Sequence, residues 1–113
     1  MITGYRFGKI VIDGKPFTHD LILIGNEIKP DWWRTESHRL DIEDIRSVIE
    51  EAHPTILVLG TGKFGMMKVP EETKNWLTAQ GVQLIVETTG KAVKIYNRLS
   101  ETQNIVGAFH ISC

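Results

Sequence analysis

The stretch from residue 56 to residue 62, ILVLGTG, constrains the fold most strongly. Its four apolar residues follow one another without alternation, a pattern that is typical of a β-strand buried on both faces. The Gly-Thr-Gly that follows predicts a tight turn at the carboxyl end of this strand. Ligands of α/β proteins usually bind at that end of the sheet, so this turn is the first place to look for a site.

Length and composition predict a single domain, residues 1–113, that is soluble and cytoplasmic. A chain of 113 residues can bury a core without disulfides, and its one cysteine, Cys113, has no partner within the chain. We find neither a signal peptide nor an apolar run of about 18 residues. The net charge of −1 and the absence of a Lys/Arg run favour neither nucleic acid nor membrane as a partner.

The first 34 residues predict an antiparallel meander of three strands. β-Branched and aromatic residues are frequent over residues 5–12, 17–24 and 27–34. The dipeptides Asp13-Gly14 and Gly25-Asn26 separate these segments, and both are typical of tight hairpin turns. We therefore expect each strand to pair with the next one along the chain.

Three helices should alternate with strands in the rest of the chain. Asp41 is a suitable N-cap for the first helix, Pro70 suits the first position of the second, and Thr88-Thr89 can cap the third. Together with the meander this gives the order βββαβαβαβ. The sequence thus predicts a three-layer α/β fold whose later strands are parallel and joined by right-handed crossovers.

Residues 60–65 match the dinucleotide-binding pattern G-x-G-x-x-G. That pattern requires a helix that begins within the glycine turn, whereas residues 66–69 separate this turn from Pro70. A small-anion site remains open, because consecutive free N–H groups can hold an anion. The alternative, which we favour, is that the glycines form only a turn and the threonines cap a helix. The candidate ligand-binding residues are Gly60, Thr61, Gly62, Lys63, Thr88 and Thr89.

Trp32 and Trp33 are adjacent, so one indole should face the core and the other should not. His38 follows in a polar loop, and an exposed indole near it would suit a protein partner or self-association. We therefore predict an interaction surface that contains Trp32, Trp33 and His38. The other three histidines, His19, His53 and His110, are expected at the surface or at helix ends.

The sequence offers no basis for a metal site, a cofactor or catalysis. The histidines lack metal-ligand spacing with one another and with Cys113. No nucleophile–base pair can be named, and we expect the carboxylate of Asp20, at the start of a strand, to bond to backbone. Catalytic activity is therefore not expected.

Residues along nearly the whole chain resemble the Mth-nine-three-eight-like proteins, and the sequence looks like the archaeal founding member of that family. They are the opening from Tyr5 to Asp20-Leu21-Ile22, a tryptophan followed by His38, the strand into Gly60-Thr61-Gly62, and the run of Thr89, Ala92, Tyr96, Asn97 and Leu99. The resemblance implies an α/β domain with a Rossmann-like sheet and an added β element. Gly65 is not part of the family pattern, which further weakens the dinucleotide interpretation.

The same resemblance implies binding more than catalysis. No enzymatic activity is established for the family, and its eukaryotic relatives include an adipogenesis-associated protein and an assembly factor for mitochondrial respiratory complex I. Asn97 matches the family, and we expect its amide to tie the third helix to the turn at Gly60–Gly62.

Two functions therefore follow from the sequence. The first is a non-catalytic protein-interaction or assembly-type module. The alternative is a protein that binds a small molecule, an anion or a nucleotide in the Gly60-Thr61-Gly62 crevice, with or without catalysis.

Overall fold

The computed structural model describes residues 1–113, which form eight strands and three helices. The strands are β1 Ile2–Arg6, β2 Lys9–Ile12, β3 Lys15–Phe17, β4 Leu21–Ile24, β5 Glu27–Lys29, β6 Ile56–Thr61, β7 Gln83–Glu87 and β8 Ile105–His110. The helices are α1 Ile42–Ala52, α2 Glu71–Ala79 and α3 Thr89–Leu99. The predicted α/β class is confirmed.

The strands form two sheets, one antiparallel and one mixed. Sheet A has the order β1-β2-β3, and sheet B has the order β5-β4-β8-β6-β7. β6 pairs in parallel with β7 and with β8, whereas β4 runs antiparallel to β8. β6 is buried along its whole length, as its apolar sequence predicts. The middle position of sheet B belongs to β8, which is equally buried.

The N-terminal region differs from the predicted meander because it contains five short strands. A turn at Phe7-Gly8, where Gly8 has a φ of +79°, divides the first predicted strand into β1 and β2. The second predicted strand is interrupted at residues 18–20, where the chain passes from sheet A to sheet B. A single hydrophobic pattern therefore continues across two sheets.

The third predicted strand, β5, lies at an edge of sheet B and ends at Lys29, directly before Pro30. Proline has no N–H to donate to a sheet, so the ladder stops there. The indoles of Trp32 and Trp33 nevertheless separate as predicted. Trp32 is buried and its Nε1 donates to the Asp44 carbonyl at 3.0 Å, whereas Trp33 is 75% exposed.

Sheet B separates two hydrophobic cores, which gives the molecule three layers. Helices α1 and α2 cover one face, where Ile45, Ile49 and Leu77 pack on Leu57 and Leu59. Helix α3 and sheet A cover the opposite face. The buried residues there include Ile10, Ile12, Ala92, Tyr96, Val58 and Phe109.

The helices begin at the predicted capping residues or one residue later, since Pro70 precedes α2 and is not its first residue. Asp41 precedes α1, and its N–H donates to the carboxylate of Asp44 at 2.8 Å, which satisfies a backbone donor at the helix start. α2 begins directly after Pro70, and α3 directly after Thr88. None of the three helices is long and apolar enough to span a lipid bilayer.

Candidate functional site

The carboxyl ends of β6 and β8 lie side by side, and the turn after β6 packs against the chain that follows β8. The N–H of Gly62 donates to Oγ1 of Thr89 at 2.8 Å, and the N–H of Lys63 donates to the Ser112 carbonyl at 2.7 Å. Thr89 in turn donates its own N–H to the Gly62 carbonyl at 3.1 Å. The backbone donors of Gly62 and Lys63 are therefore satisfied within the protein.

The two glycines allow the chain to pack closely on itself. A Cβ on Gly60 would lie 2.8 Å from Oγ1 of Thr89. Gly62 has a φ of +101°, and a Cβ there would lie 2.8 Å from the carbonyl oxygens of Ser112 and Cys113. The helix that follows the turn, α2, begins only at Glu71, and the first residue of α3, Thr89, already uses its N–H on the Gly62 carbonyl. The geometry is that of a tight turn filled by the protein's own chain.

The six candidate ligand-binding residues lie close together, but only Lys63 and Thr88 line the open groove beside α3, whereas Thr61 lines a separate pocket with Gly65 and Met67. Gly60, Thr61, Gly62 and Thr89 are buried. The groove has a volume of about 580 Å³ and lies between the start of α3 and β1. Lysine side chains dominate its charge, from Lys63, Lys91 and Lys94.

A second cavity, of about 270 Å³, lies beyond the end of β8. Its wall contains Asp20, which precedes β4, Arg34, which follows β5, and His110, the last residue of β8. Because β4 runs antiparallel to β8, its start meets the carboxyl end of that strand. The topology of sheet B thus brings together three polar residues that are far apart in the sequence.

Asp20 is the centre of this cluster. Its Oδ2 lies 2.7 Å from Nδ1 of His110 and 2.9 Å from Nη2 of Arg34, and its Oδ1 accepts from the Ile111 N–H at 2.9 Å. Burial by itself raises the pKa of this carboxyl, but the hydrogen bonds from His110, Ile111 and Arg34 outweigh it and hold the pKa below its usual value. Asp20 is therefore an ionised acceptor at neutral pH.

An ionised carboxylate can only accept, so Nδ1 of His110 carries the proton between them. Nη2 of Arg34 also lies near this Nδ1, at 3.2 Å. Its two hydrogen atoms are directed to the Asp20 carboxylate and to the Ser37 carbonyl, the latter at 2.7 Å. His110 Nε2 and the Nε and Nη1 atoms of Arg34 are buried and have no partner. Asp20, Arg34 and His110 thus fix one another by hydrogen bonds, and three of their nitrogen atoms stay without a hydrogen-bond partner.

The expectation that His110 is a surface residue is wrong. Its side chain is 5% exposed, because β8 is buried along its length and Asp20 supplies a partner for the ring. The sequence signal for a buried His110 was its position at the end of a predicted buried strand. Arg34 carried no such signal. His19 and His53 are exposed as predicted, and His53 follows α1 as a helix-end residue.

The predicted interaction surface is divided by the fold. Trp32 belongs to the core and stacks on the guanidinium of Arg34, whose Cζ is 4.4 Å from the ring centre. Trp33 is exposed and stands at the cavity, with its ring centre 5.8 Å from that of His19. His38 is half-buried and places its ring edge-on to His110 at 5.6 Å.

The expectation for Asn97 also needs correction. Its side chain exchanges two hydrogen bonds with the backbone of Ile2, at 3.0 and 2.7 Å. It therefore ties α3 to β1 and not to the turn at Gly60–Gly62, because the inner face of α3 lies under sheet A at this position. No group of three His, Cys, Asp or Glu side chains is close enough to hold a metal ion.

The fold is thus a mixed α/β sandwich of two sheets, with a polar cavity at the carboxyl end of its middle strand. Residues 2–111 match the family described as a protein of unknown function (DUF498/DUF598). The chain belongs to this family.

Solved structures share the complete fold. Protein PH1505 from Pyrococcus horikoshii is 27% identical, with a TM-score of 0.84, over 100% of this chain and 99% of that one. A Mth938-like domain from Bordetella pertussis is 19% identical with a TM-score of 0.79, over 98% and 85% of the two chains. MT938 is 21% identical with a TM-score of 0.80, over 100% and 98%. The Mth938-like resemblance is confirmed, and at 21% identity this chain is a relative of MT938 and not MT938 itself.

Proposed function

We propose that the protein is a non-catalytic, cytoplasmic binding module that docks a second protein at the carboxyl end of its strands. The observation that carries the proposal is the position of its exposed large apolar side chains. Four of the six exposed large apolar side chains, Phe7, Trp33, Phe64 and Met66, are between 49% and 75% exposed and belong to segments around that end. Exposed apolar residues that gather in one region mark an interaction surface more often than scattered ones.

Phe7 and Phe64 form the centre of this surface, which we call the aromatic patch and define as Phe7, Phe64 and Met66. The ring centres of the two phenylalanines are 6.3 Å apart, although they come from different elements. Phe7 lies in the β1–β2 turn, and Phe64 follows β6. Neither ring is buried, so both retain apolar area that a partner can cover.

The border of the aromatic patch is basic. Arg6 and Lys9 flank the turn that holds Phe7, and Lys63 directly precedes Phe64. Helix α3, which shares the groove with Lys63, carries three basic residues and no acidic one. A partner with apolar side chains and acidic neighbours would complement both properties of the patch.

The same charge pattern argues against a symmetric dimer through this patch. In a two-fold dimer the patch would meet itself and bring like charges together. The acidic residues of the protein are concentrated elsewhere, with Glu43, Asp44, Glu50 and Glu51 on α1. We therefore propose a different protein as the partner and expect this chain to be a monomer in sedimentation velocity.

Labelled synthetic peptides test the proposal directly. A peptide that alternates leucine and phenylalanine with glutamate should bind the wild-type protein in fluorescence anisotropy, and more weakly as salt is added. The double variant Phe7→Ser, Phe64→Ser should lose roughly tenfold or more in affinity, because these rings supply the apolar contact.

Two controls make the result specific. Ala79→Ser changes an exposed apolar residue at the end of α2, at the opposite end of sheet B, and should leave binding unchanged. A peptide with lysine in place of glutamate should not bind. Equal binding of both peptides, equal binding by the double variant, or no binding of the acidic peptide would each contradict the proposal.

A further inference from the structure

We propose that the cavity walled by Asp20, Arg34 and His110 is a binding site for a small monocarboxylate. The site is separate from the aromatic patch and from the turn at Gly60–Gly62. It rests on four observations: the unpaired nitrogen atoms, the way the cluster is already braced, its charge, and the shape and lining of the cavity.

The unpaired polar atoms of the protein are concentrated at this one place. Three buried side-chain nitrogen or oxygen atoms have no hydrogen-bond partner, and all three belong to Arg34 and His110. The side chains of these residues are only 2% and 5% exposed. Native proteins rarely leave buried polar groups unpaired without a reason, and both residues lie in the wall of the same cavity.

The cluster is braced before any ligand arrives. Nη2 of Arg34 is held by Asp20 and by the Ser37 carbonyl, while the face of the guanidinium rests on Trp32. Nδ1 of His110 is held by Asp20. The remaining N–H groups of Arg34 and Nε2 of His110 are therefore fixed in position, and a carboxylate that accepts from Arg34 would lose little entropy in ordering them.

The charges favour an anion with a single negative charge. Asp20 already balances one positive charge, and Asp31, another residue of the cavity wall, adds a second carboxylate near His19. A dianion such as hydrogen phosphate would meet both carboxylates with only Arg34 as a permanent cation. A monocarboxylate instead needs only the N–H groups of Arg34.

The size and lining of the cavity favour a flat apolar body behind the carboxylate. A volume of about 270 Å³ admits a small molecule and not a nucleotide. Trp32 and Trp33 both belong to the wall, and Trp33 is the more exposed of the two. A small aromatic acid can place its ring beside Trp33 and its carboxylate at Arg34.

Calorimetric titration with benzoate tests the site, with neutral benzamide and inorganic phosphate as comparison probes. The wild-type protein should bind benzoate with a Kd of about 1 mM or tighter and should quench tryptophan fluorescence, while benzamide and phosphate should bind at least about tenfold more weakly. Arg34→Lys keeps the charge opposite Asp20 but loses the planar set of N–H groups, and should weaken benzoate binding roughly tenfold.

The chain offers a matched control, since Arg46 stacks on Trp76 at 5.4 Å in the same manner but lies away from the cavity. Arg46→Lys should leave benzoate binding unchanged. If Arg34→Lys does not fold, Trp33→Ala provides the same test, because this exposed residue contributes to the wall and little to the core. It should weaken binding severalfold without a change in the circular dichroism spectrum.

Three outcomes would overturn the proposal. One is the absence of benzoate binding up to about 10 mM. The second is binding that neither Arg34→Lys nor Trp33→Ala weakens. The third is binding that the double variant Lys91→Gln, Lys94→Gln abolishes, which would place the anion in the lysine groove. The peptide experiment on the aromatic patch is independent of all three, because Phe7 and Phe64 are absent from the cavity wall.

Discussion

The turn at Gly60–Gly62 and the cavity at Asp20, Arg34 and His110 both lie at the carboxyl ends of β6 and β8. They differ in how their hydrogen-bonding groups are used. At the turn, the N–H groups of Gly62 and Lys63 donate within the chain. In the cavity, Arg34 and His110 retain buried nitrogen atoms without partners. The glycine-rich motif therefore lies at the turn, which is closely packed, whereas no sequence motif lies at the cavity.

This difference shows what separates a structural turn from a binding site. Close packing against the chain after β8 fills the space at the turn and satisfies its donors. In the cavity, Asp20 holds the side chains of Arg34 and His110 by one nitrogen atom each, and their other side-chain nitrogen atoms stay unpaired. Changes at the turn should therefore affect mainly stability, whereas changes in the cavity should affect stability, its pH dependence and ligand binding.

The largest effect is expected from Gly62→Val. The new side chain would be forced against two carbonyl oxygens at a positive φ, so we expect a loss of about 3 kcal/mol in the free energy of unfolding. Urea denaturation measures it. Gly14→Ala is the control, because Gly14 has a φ of +81° but open space around it, and it should cost only about 1 kcal/mol. Equal losses would mean that the turn is not closely packed.

Thr89→Val should come next, at about 2 kcal/mol. The substitution keeps the shape of the side chain but removes the hydroxyl that joins the Gly62 N–H to the His110 carbonyl. Both groups would then be buried without a partner. Thr78→Val removes an exposed hydroxyl on α2 and should change stability by less than about 0.5 kcal/mol in the same denaturation experiment. A Thr89→Val protein as stable as wild type would contradict the closed turn.

Asp20→Asn should cost about 1–2 kcal/mol at pH 7 and should change the acid dependence of stability. The pKa of Asp20 is lowered in the folded state, so the unfolded chain takes up its proton first as the pH falls. The contribution of Asp20 is therefore complete above about pH 5 and decreases through about pH 4 and below. Denaturation curves of wild type and variant should converge near the acid end of this range.

The matching control is Asp13→Asn. Asp13 is exposed and pairs with the N-terminal ammonium at 3.1 Å, so its substitution should leave the acid dependence unchanged. If the gap between wild type and Asp20→Asn stays constant from pH 7 to pH 3, the lowered pKa of Asp20 is contradicted.

The smallest effect on stability is expected from Phe64→Ser, at less than about 0.5 kcal/mol. Phe64 is 69% exposed, so its removal leaves the cores intact. A thermal melt should show almost no shift, whereas binding of the acidic peptide should fall. A large loss of stability would show that the aromatic patch belongs to the core and is not free for a partner.

The sequence predicts the helices and the buried strands well, because each depends on a local pattern. Asp41 caps α1, the apolar run ends at Gly60, and the residues around Asp13 and Gly25 form the expected turns. The division of the N-terminal strands was missed. The turn at Phe7-Gly8 interrupts an otherwise continuous β pattern, and nothing local shows that the chain changes sheets at residues 18–20.

The cavity could not be predicted from sequence because its residues meet only through the topology. Asp20 and His110 are 90 positions apart, and Arg34 and His110 are 76 apart. Their contact requires that β8 lie beside β4, an order that the hydrophobic pattern does not encode. Arg34 can be buried because it donates to Asp20 and stacks on Trp32. Neither contact can be inferred from the sequence around position 34.

A single NMR titration with benzoate tests the contrast between the two regions most directly. In two-dimensional proton–nitrogen spectra, the Nε–H signal of Arg34 and the indole signal of Trp33 should move as benzoate is added. The amide signals of Gly62 and Lys63 should stay in place, since their donors are engaged within the chain. If the signals of Gly62 and Lys63 move while that of Arg34 does not, the glycine turn is the binding site and the account is wrong.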